Sequence, residues 1–139
     1  MRQAQFQFSM STKGRGIYKI NNPIENWMQS QHIDSGLITL FIPHTSASLL
    51  IQENADPDVL KDLNSFFNRL IPDGDPLYEH QAEGPDDMPA HIRSALTQTQ
   101  LSIPVQENKM VLGIWQGIYL FEHRVDPHTR NVLLHLLGE

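Results

Sequence analysis

Three histidines stand among hydroxyl and carboxylate side chains. His44 lies in Pro43-His44-Thr45-Ser46-Ala47-Ser48, and His80 and His91 bracket Gln81-Ala82-Glu83-Gly84-Pro85-Asp86-Asp87-Met88-Pro89-Ala90. Imidazole and carboxylate together make a borderline-soft ligand set for a divalent metal. With no cysteine in the chain, they are the residues from which such a site has to be built. His32, His123, His128 and His135 compete for the same role. Asp86 and Asp87 suit acid, base or ligand-orienting work, and equally suit the positive end of a following helix. Glu53 is divided in the same way between capping and orienting. Gln116, beside Trp115, offers an amide donor against an aromatic wall. Arg124 and Arg130 are the cations able to fork onto a phosphate, or to pair with Glu122 or Asp126. Ser46 and Ser48 flank the His44 segment, but the Gly-x-Ser-x-Gly elbow of serine hydrolases is absent. No Walker loop, dinucleotide fingerprint or His-Glu-x-x-His motif occurs.

The elements that must hold these residues are legible in part. A chain of 139 residues suits one domain spanning 1–139 with a single core. Its apolar runs stay far below the roughly 18 residues of a membrane span. The start, Met1 to Gln5, lacks the apolar core of a signal peptide, and the absence of cysteine fits a cytoplasmic protein. A formal net charge of −6 argues against tracking a nucleic-acid backbone, which needs clustered Lys and Arg.

Ala4, Phe6, Phe8 and Met10 alternate with polar residues, the period of a half-buried strand. Lys13-Gly14-Arg15-Gly16 reads as a turn into a second strand at 17–20, giving an N-terminal hairpin. Asn22 as cap and Pro23 in the first turn predict a helix to about His32. Residues 37–42 and 47–52 read as strands near the centre of a sheet. Asp56-Pro57 opens the clearest helix, with Leu60, Leu63, Phe67 and Leu70 at helical spacing. Residues 72–89 are too rich in proline and acid for regular structure, and long for an idle loop. Pro89 begins a short helix with Ile92, Ala95 and Leu96 as its apolar stripe. Strands follow at 101–105, 110–112, 118–122 and 131–137, with His135 facing outward on an edge strand. The expected fold class is α+β: one domain of mostly antiparallel sheets, sandwich or barrel-like, with two or three helices.

Several segments, taken together, resemble the YjbQ family, described as secondary thiamine-phosphate synthases. They are His44-Thr45-Ser46-Ala47-Ser48, Glu53-Asn54-Ala55-Asp56-Pro57, Tyr78-Glu79-His80, the run from Glu83 to Ile92, Gly113-Ile114-Trp115-Gln116-Gly117-Ile118 and Glu122-His123-Arg124. The likeness covers most of the chain in order. Ile114 departs from it, standing where the family usually has threonine. The resemblance implies a homotrimer with a histidine-based metal or ligand site near the subunit boundaries, and a reaction joining hydroxymethylpyrimidine diphosphate to thiazole phosphate with release of pyrophosphate. On this reading His44, His80 and His91 are the ligands of a divalent metal (zinc, manganese or magnesium). Glu53, Asp86, Asp87, Gln116 and Arg124 serve a small phosphorylated substrate. Two alternatives stand beside it, a metal-dependent phosphate hydrolase and a non-catalytic trimeric metal- or ligand-binding module.

Overall fold

The computed structural model describes residues 1–139. In chain order the elements are β1 (Arg2–Ser11), β2 (Gly16–Lys19), α1 (Asn21–Gln31), β3 (Gly36–Phe41), β4 (Ala47–Glu53), α2 (Pro57–Leu70), α3 (Asp87–Leu96), β5 (Gln100–Gln106), β6 (Lys109–Met110), β7 (Gln116–Glu122) and β8 (Thr129–Gly138). A five-stranded sheet runs β1-β8-β3-β5-β6 and a three-stranded sheet runs β2-β7-β4. All strand pairs are antiparallel. This is the single α+β domain that the strand and helix periods predict. The core is aliphatic, with Ile38 and Leu40 of β3, Leu49 of β4, Ile118 and Leu120 of β7, Val132, Leu134 and Leu136 of β8, and Ile24 and Met28 of α1 all buried. No helix is long and apolar enough to cross a membrane.

Several local expectations are corrected. β1 and β2 form no hairpin: β1 pairs with β8 over ten residues and β2 with β7. The long register outweighs a four-residue ribbon, so the intervening turn carries the chain from one sheet to the other. Gly14 makes that crossing with φ 116°, where an added Cβ would lie 2.4 Å from the Val125 carbonyl oxygen, a position only glycine fills. Asn22 does not cap α1. The helix starts at Asn21 without a side-chain cap, and the Asn21 amide oxygen instead accepts the Ile118 N–H at 2.8 Å, tying the helix to β7. Asp56 does cap α2, accepting the Asp58 N–H at 2.9 Å. α2 meets the sheet through Phe67, edge-on to Phe121 at 5.3 Å. β3 is central as expected, but β4 is an edge strand of the smaller sheet. Its Leu49 N–H is covered by the Gln98 carbonyl just beyond α3. β8 lies between β1 and β3, not at an edge. His135 does point away from the core, its Nε2 2.9 Å from Gln3 Oε1.

The largest correction is the phase of α3. It begins at Asp87, and its buried positions are Asp87, Pro89, Ala90, Arg93 and Ser94. Leu96, expected to be covered, is 60% exposed. Arg93 sets this rotation: fully buried, it donates to Asn68 Oδ1 at 3.1 Å and to the Ile71 carbonyl at 2.9 Å. Giving Nη1 and Nη2 of a buried guanidinium their acceptors outweighs burying one leucine.

Candidate metal centre

Asp87 and His91 stand four residues apart on α3 and share a face. His80 comes from the preceding loop, which must fold back to reach them. It does so with a hydrogen bond across the loop, Gly74 N–H to the Pro85 carbonyl at 3.1 Å, and a tight turn, Gly84 N–H to the Gln81 carbonyl at 3.3 Å. Gly84 adopts φ 108°, and the Glu83 carbonyl beside it accepts Arg124 Nη2 at 2.9 Å. Arg124 closes the loop onto the end of β7. Its Nε donates to Asp86 and its Nη1 to Asp87, each at 2.9 Å.

The result is a cluster in which one ligand atom from each of His80, Asp87 and His91 lies within 4.8 Å of the others. Asp87 Oδ2 is 2.6 Å from His80 Nε2 and 3.5 Å from His91 Nε2. Burial pushes the Asp87 carboxyl up, but the His80 hydrogen bond and the Arg124 charge outweigh it and hold the group below its ordinary value. Asp86 is likewise held low, burial being outweighed by Arg124 and the Val125 N–H. The Thr45 carbonyl, 3.1 Å from His91 Nδ1, can only accept. Nδ1 therefore carries the hydrogen, and the Nε2 lone pair faces the cluster, the arrangement that orients a metal-binding histidine. His80 Nε2 faces the Asp87 carboxylate and donates to it; a cation bound there would require the hydrogen to sit on Nδ1 instead.

The other residues singled out in the sequence divide sharply. Asp86 and Arg124 join the cluster as supports. Arg124 uses one donor each of Nε, Nη1 and Nη2 to hold the chain itself, and through Nη1 it orients Asp87. Glu53 and Gln116 are register partners at the far end of β4 and β7, whereas Ala47 and Glu122 are partners at the near end. At ~3.3 Å per residue the separation is about 20 Å, and neither reaches the cluster within one chain. Glu53 accepts the Asp56 N–H at 3.3 Å and Gln116 accepts the Gly113 N–H at 2.7 Å. Ile114, the departure from the resembling motif, is 80% exposed and gives only its carbonyl, to Asn54.

His44 also stands outside the cluster. Its Nε2 accepts the Asn131 N–H at 2.9 Å. A neutral imidazole has one lone-pair nitrogen, and here a backbone hydrogen occupies it. Burial first, then the Arg130 charge, keeps His44 below the usual imidazole range and so neutral.

The sequence offers Glu122 as a pairing choice for Arg124 or Arg130, His123 as a competing ligand, and both as part of the Glu122-His123-Arg124 motif, without a part in supporting the site. Glu122 is fully buried, and it accepts from Thr12 Oγ1 at 2.8 Å, Arg130 Nε at 2.7 Å and the Arg124 N–H at 3.0 Å. His123, also fully buried, has Nε2 2.8 Å from Ser48 Oγ and no partner for Nδ1. Consecutive polar residues ending an apolar strand, within the Glu122-His123-Arg124 motif, are the signal that pointed here.

Burial, reinforced by Arg93, Arg15 and Arg130, pushes His123 down from 6.5 to about 3. Between those values the unfolded chain binds a proton that the folded one refuses, so stability is complete above 6.5 and lost as pH falls. For this one group the expected loss between pH 7 and pH 5 is about 2 kcal/mol. Urea unfolding at the two pH values measures it, and His123→Gln should flatten the difference. Equal stability at both pH values would contradict a buried neutral His123.

A family model described as UPF0047 protein YjbQ-like matches residues 5–139. The chain belongs to this family. It is 50% identical over 138 residues to UPF0047 protein sll1880 of Synechocystis, covering 99% of this chain and 94% of that protein. It is 41% identical over 136 residues to UPF0047 protein YjbQ of Escherichia coli O157:H7, covering 97% and 98%. Among solved structures, an uncharacterized conserved YjbQ/UPF0047 protein from Clostridium acetobutylicum superposes with a TM-score of 0.86 at 32% identity, covering 95% of this chain and 99% of that one. The conserved hypothetical protein TT1486 of Thermus thermophilus gives 0.85 at 32% identity. These names state no activity, substrate or cofactor. Matches over nearly the whole of each chain place His80, Asp87 and His91 inside the family's own domain.

Proposed function

We propose that this chain is a divalent-metal enzyme acting on a small phosphorylated substrate, with His80, Asp87 and His91 as the metal ligands. The convergence of two imidazole nitrogens and one carboxylate, two of the three oriented by outer partners, carries this reading. Three protein ligands leave coordination positions open, as catalytic sites do and closed structural sites do not. The donor set fits zinc or manganese; magnesium, which prefers oxygen ligands, fits it less well. When bound, such an ion supplies a Lewis acid that neutralises a phosphate or diphosphate leaving group. The chain's own part is to fix the ligands: Thr45 sets the His91 tautomer, and Arg124 holds Asp87 and Asp86.

The reaction proposed within this class is the thiamine-phosphate synthase coupling that the motif resemblance implies. The His80 side chain is 46% exposed, so water reaches the site. That observation favours phosphate-ester hydrolysis as the second reading. A homotrimer is part of the proposal, supported by the outer face of the larger sheet. There Leu37, Phe41, Leu133 and Leu137, each 37–45% exposed, lie among Gln3, Gln5, Gln7, Thr39 and His135 with no charged residue between them, a composition typical of interface cores. A chain without cysteine suits the reducing cytoplasm, where we place it.

The test incubates zinc- or manganese-loaded protein with hydroxymethylpyrimidine diphosphate and thiazole phosphate. Thiamine phosphate above the uncatalysed background, lost in a His80→Ala variant that still assembles, is the expected result. Phosphate release without coupling would replace the synthase by the hydrolase. Metal binding with neither product would leave a binding module.

A further inference from the structure

The loop joining β3 to β4 has two sides. On one, the Thr45 carbonyl holds His91. On the other lies an open hollow of about 440 Å³, whose lining includes His44, Thr45, Ser46, Thr99 and Arg130. Several donors along its lining have no acceptor in the chain. Because His44 Nε2 accepts the Asn131 N–H, the His44 hydrogen is on Nδ1, which has no acceptor in the chain. Arg130 is 4% exposed; its Nε and Nη2 are taken by Glu122 and Ser46, and Nη1 has no acceptor. The backbone N–H groups of His44, Thr45 and Ser46 donate to nothing in the protein. The peptide between Thr45 and Ser46 is trans, so with its carbonyl aimed at His91 the Ser46 N–H points the opposite way. Glu122, the nearby carboxylate, spends its oxygens on Arg130, Thr12 and the Arg124 N–H. Unmatched N–H groups clustered on a loop, beside an unused guanidinium nitrogen, form a concavity for an anion.

We infer that this hollow is a phosphate subsite, in which His44 Nδ1–H, Arg130 Nη1 and the N–H groups of the 44–46 loop hold the non-reacting phosphoryl group of the substrate, one loop away from the metal centre. The inference rests on the proposed phosphorylated substrate for its biological role, but anion binding itself requires no metal. It gives His44 a donor's part in place of a ligand's. With Arg130 already paired to Glu122, the subsite is close to electroneutral and binds weakly and reversibly.

The experiment is a titration of metal-free, isotope-labelled protein with inorganic phosphate, followed by amide NMR. Saturable shifts of the His44, Thr45 and Ser46 amides are expected. His44→Phe should weaken phosphate binding about tenfold, one hydrogen bond's worth, while zinc affinity stays within about twofold of the parent. If that variant misfolds, the shift map of the unaltered protein still decides. No saturable shift at 44–46 at phosphate concentrations as high as about 50 mM overturns the subsite, and so do shifts confined to residues 80–91. Phosphate binding at 44–46 in a protein that takes up no zinc keeps the subsite and removes the metal reading. Zinc uptake with no phosphate response at 44–46 does the reverse.

Discussion

His91→Ala is expected to lower zinc or manganese affinity at least about 100-fold. Loss of a single outer partner at metal sites commonly costs 10- to 100-fold, and His91 is one of three direct ligands in the proposed centre. Arg124→Met tests the outer partner itself. It leaves all three ligand atoms in place but frees Asp87 from the 2.9 Å bond that fixes its carboxylate, and a drop of about 10- to 100-fold is expected. The two variants separate ligation from orientation, since only the first removes a donor. Calorimetric titration of chelator-treated protein measures both. His91→Ala protein that binds metal as tightly as the parent would sink the centre. Its folding is not expected to suffer much, since its ring makes one backbone contact from a half-buried position.

Glu122→Gln has the largest expected effect on stability, about 3 to 5 kcal/mol, the usual cost of removing one partner of a buried ion pair. Arg130 would keep its charge in a site where it is 4% exposed, and the Thr12 hydroxyl and Arg124 N–H would lose an ionised acceptor. Replacing both members, Glu122→Leu with Arg130→Met, should cost clearly less than the two single changes summed, because no orphan charge remains. Urea unfolding of the four proteins closes the cycle. Additive losses would mean that the pair is not coupled as its geometry requires. Acid should mimic the single change. Burial raises the Glu122 carboxyl, but hydrogen bonds from Arg130, the Arg124 N–H and Thr12 bring it below 4.5. The stability this gives is present above 4.5 and disappears as pH falls through the lower folded value. The His123 loss begins higher, so the protein should weaken with acid in two successive stages.

Periodicity identified strands and helices well where one face is apolar and the other polar. β1, β8 and α2 were legible because alternation or helical spacing marks the side turned toward the protein, though α2 buries no residue fully and its Leu70 is 54% exposed. α3 was not, since its buried face carries Asp87, Arg93 and Ser94 and so looks like a solvent face. The same inversion hid Glu122 and His123. The pairing of β1 was illegible for another reason: its partner β8 lies more than a hundred residues away, and local turn chemistry says nothing about which distant strand completes a sheet.

The sequence by itself determined the chemistry available: histidine and carboxylate without cysteine, an Asp-capped helix, a long acidic loop, and motifs that mark the family. Tertiary structure alone decided which of those groups act together. It gathered His80, Asp87 and His91, sent Glu53 and Gln116 to the opposite end of the smaller sheet, and occupied His44 Nε2 with the Asn131 N–H. The physical reason is that ligand geometry depends on the phase of one helix and the closure of one loop. Those are fixed by the buried partners of Arg93 and Arg124, contacts between residues whose spacing along the chain carries no signal of their meeting.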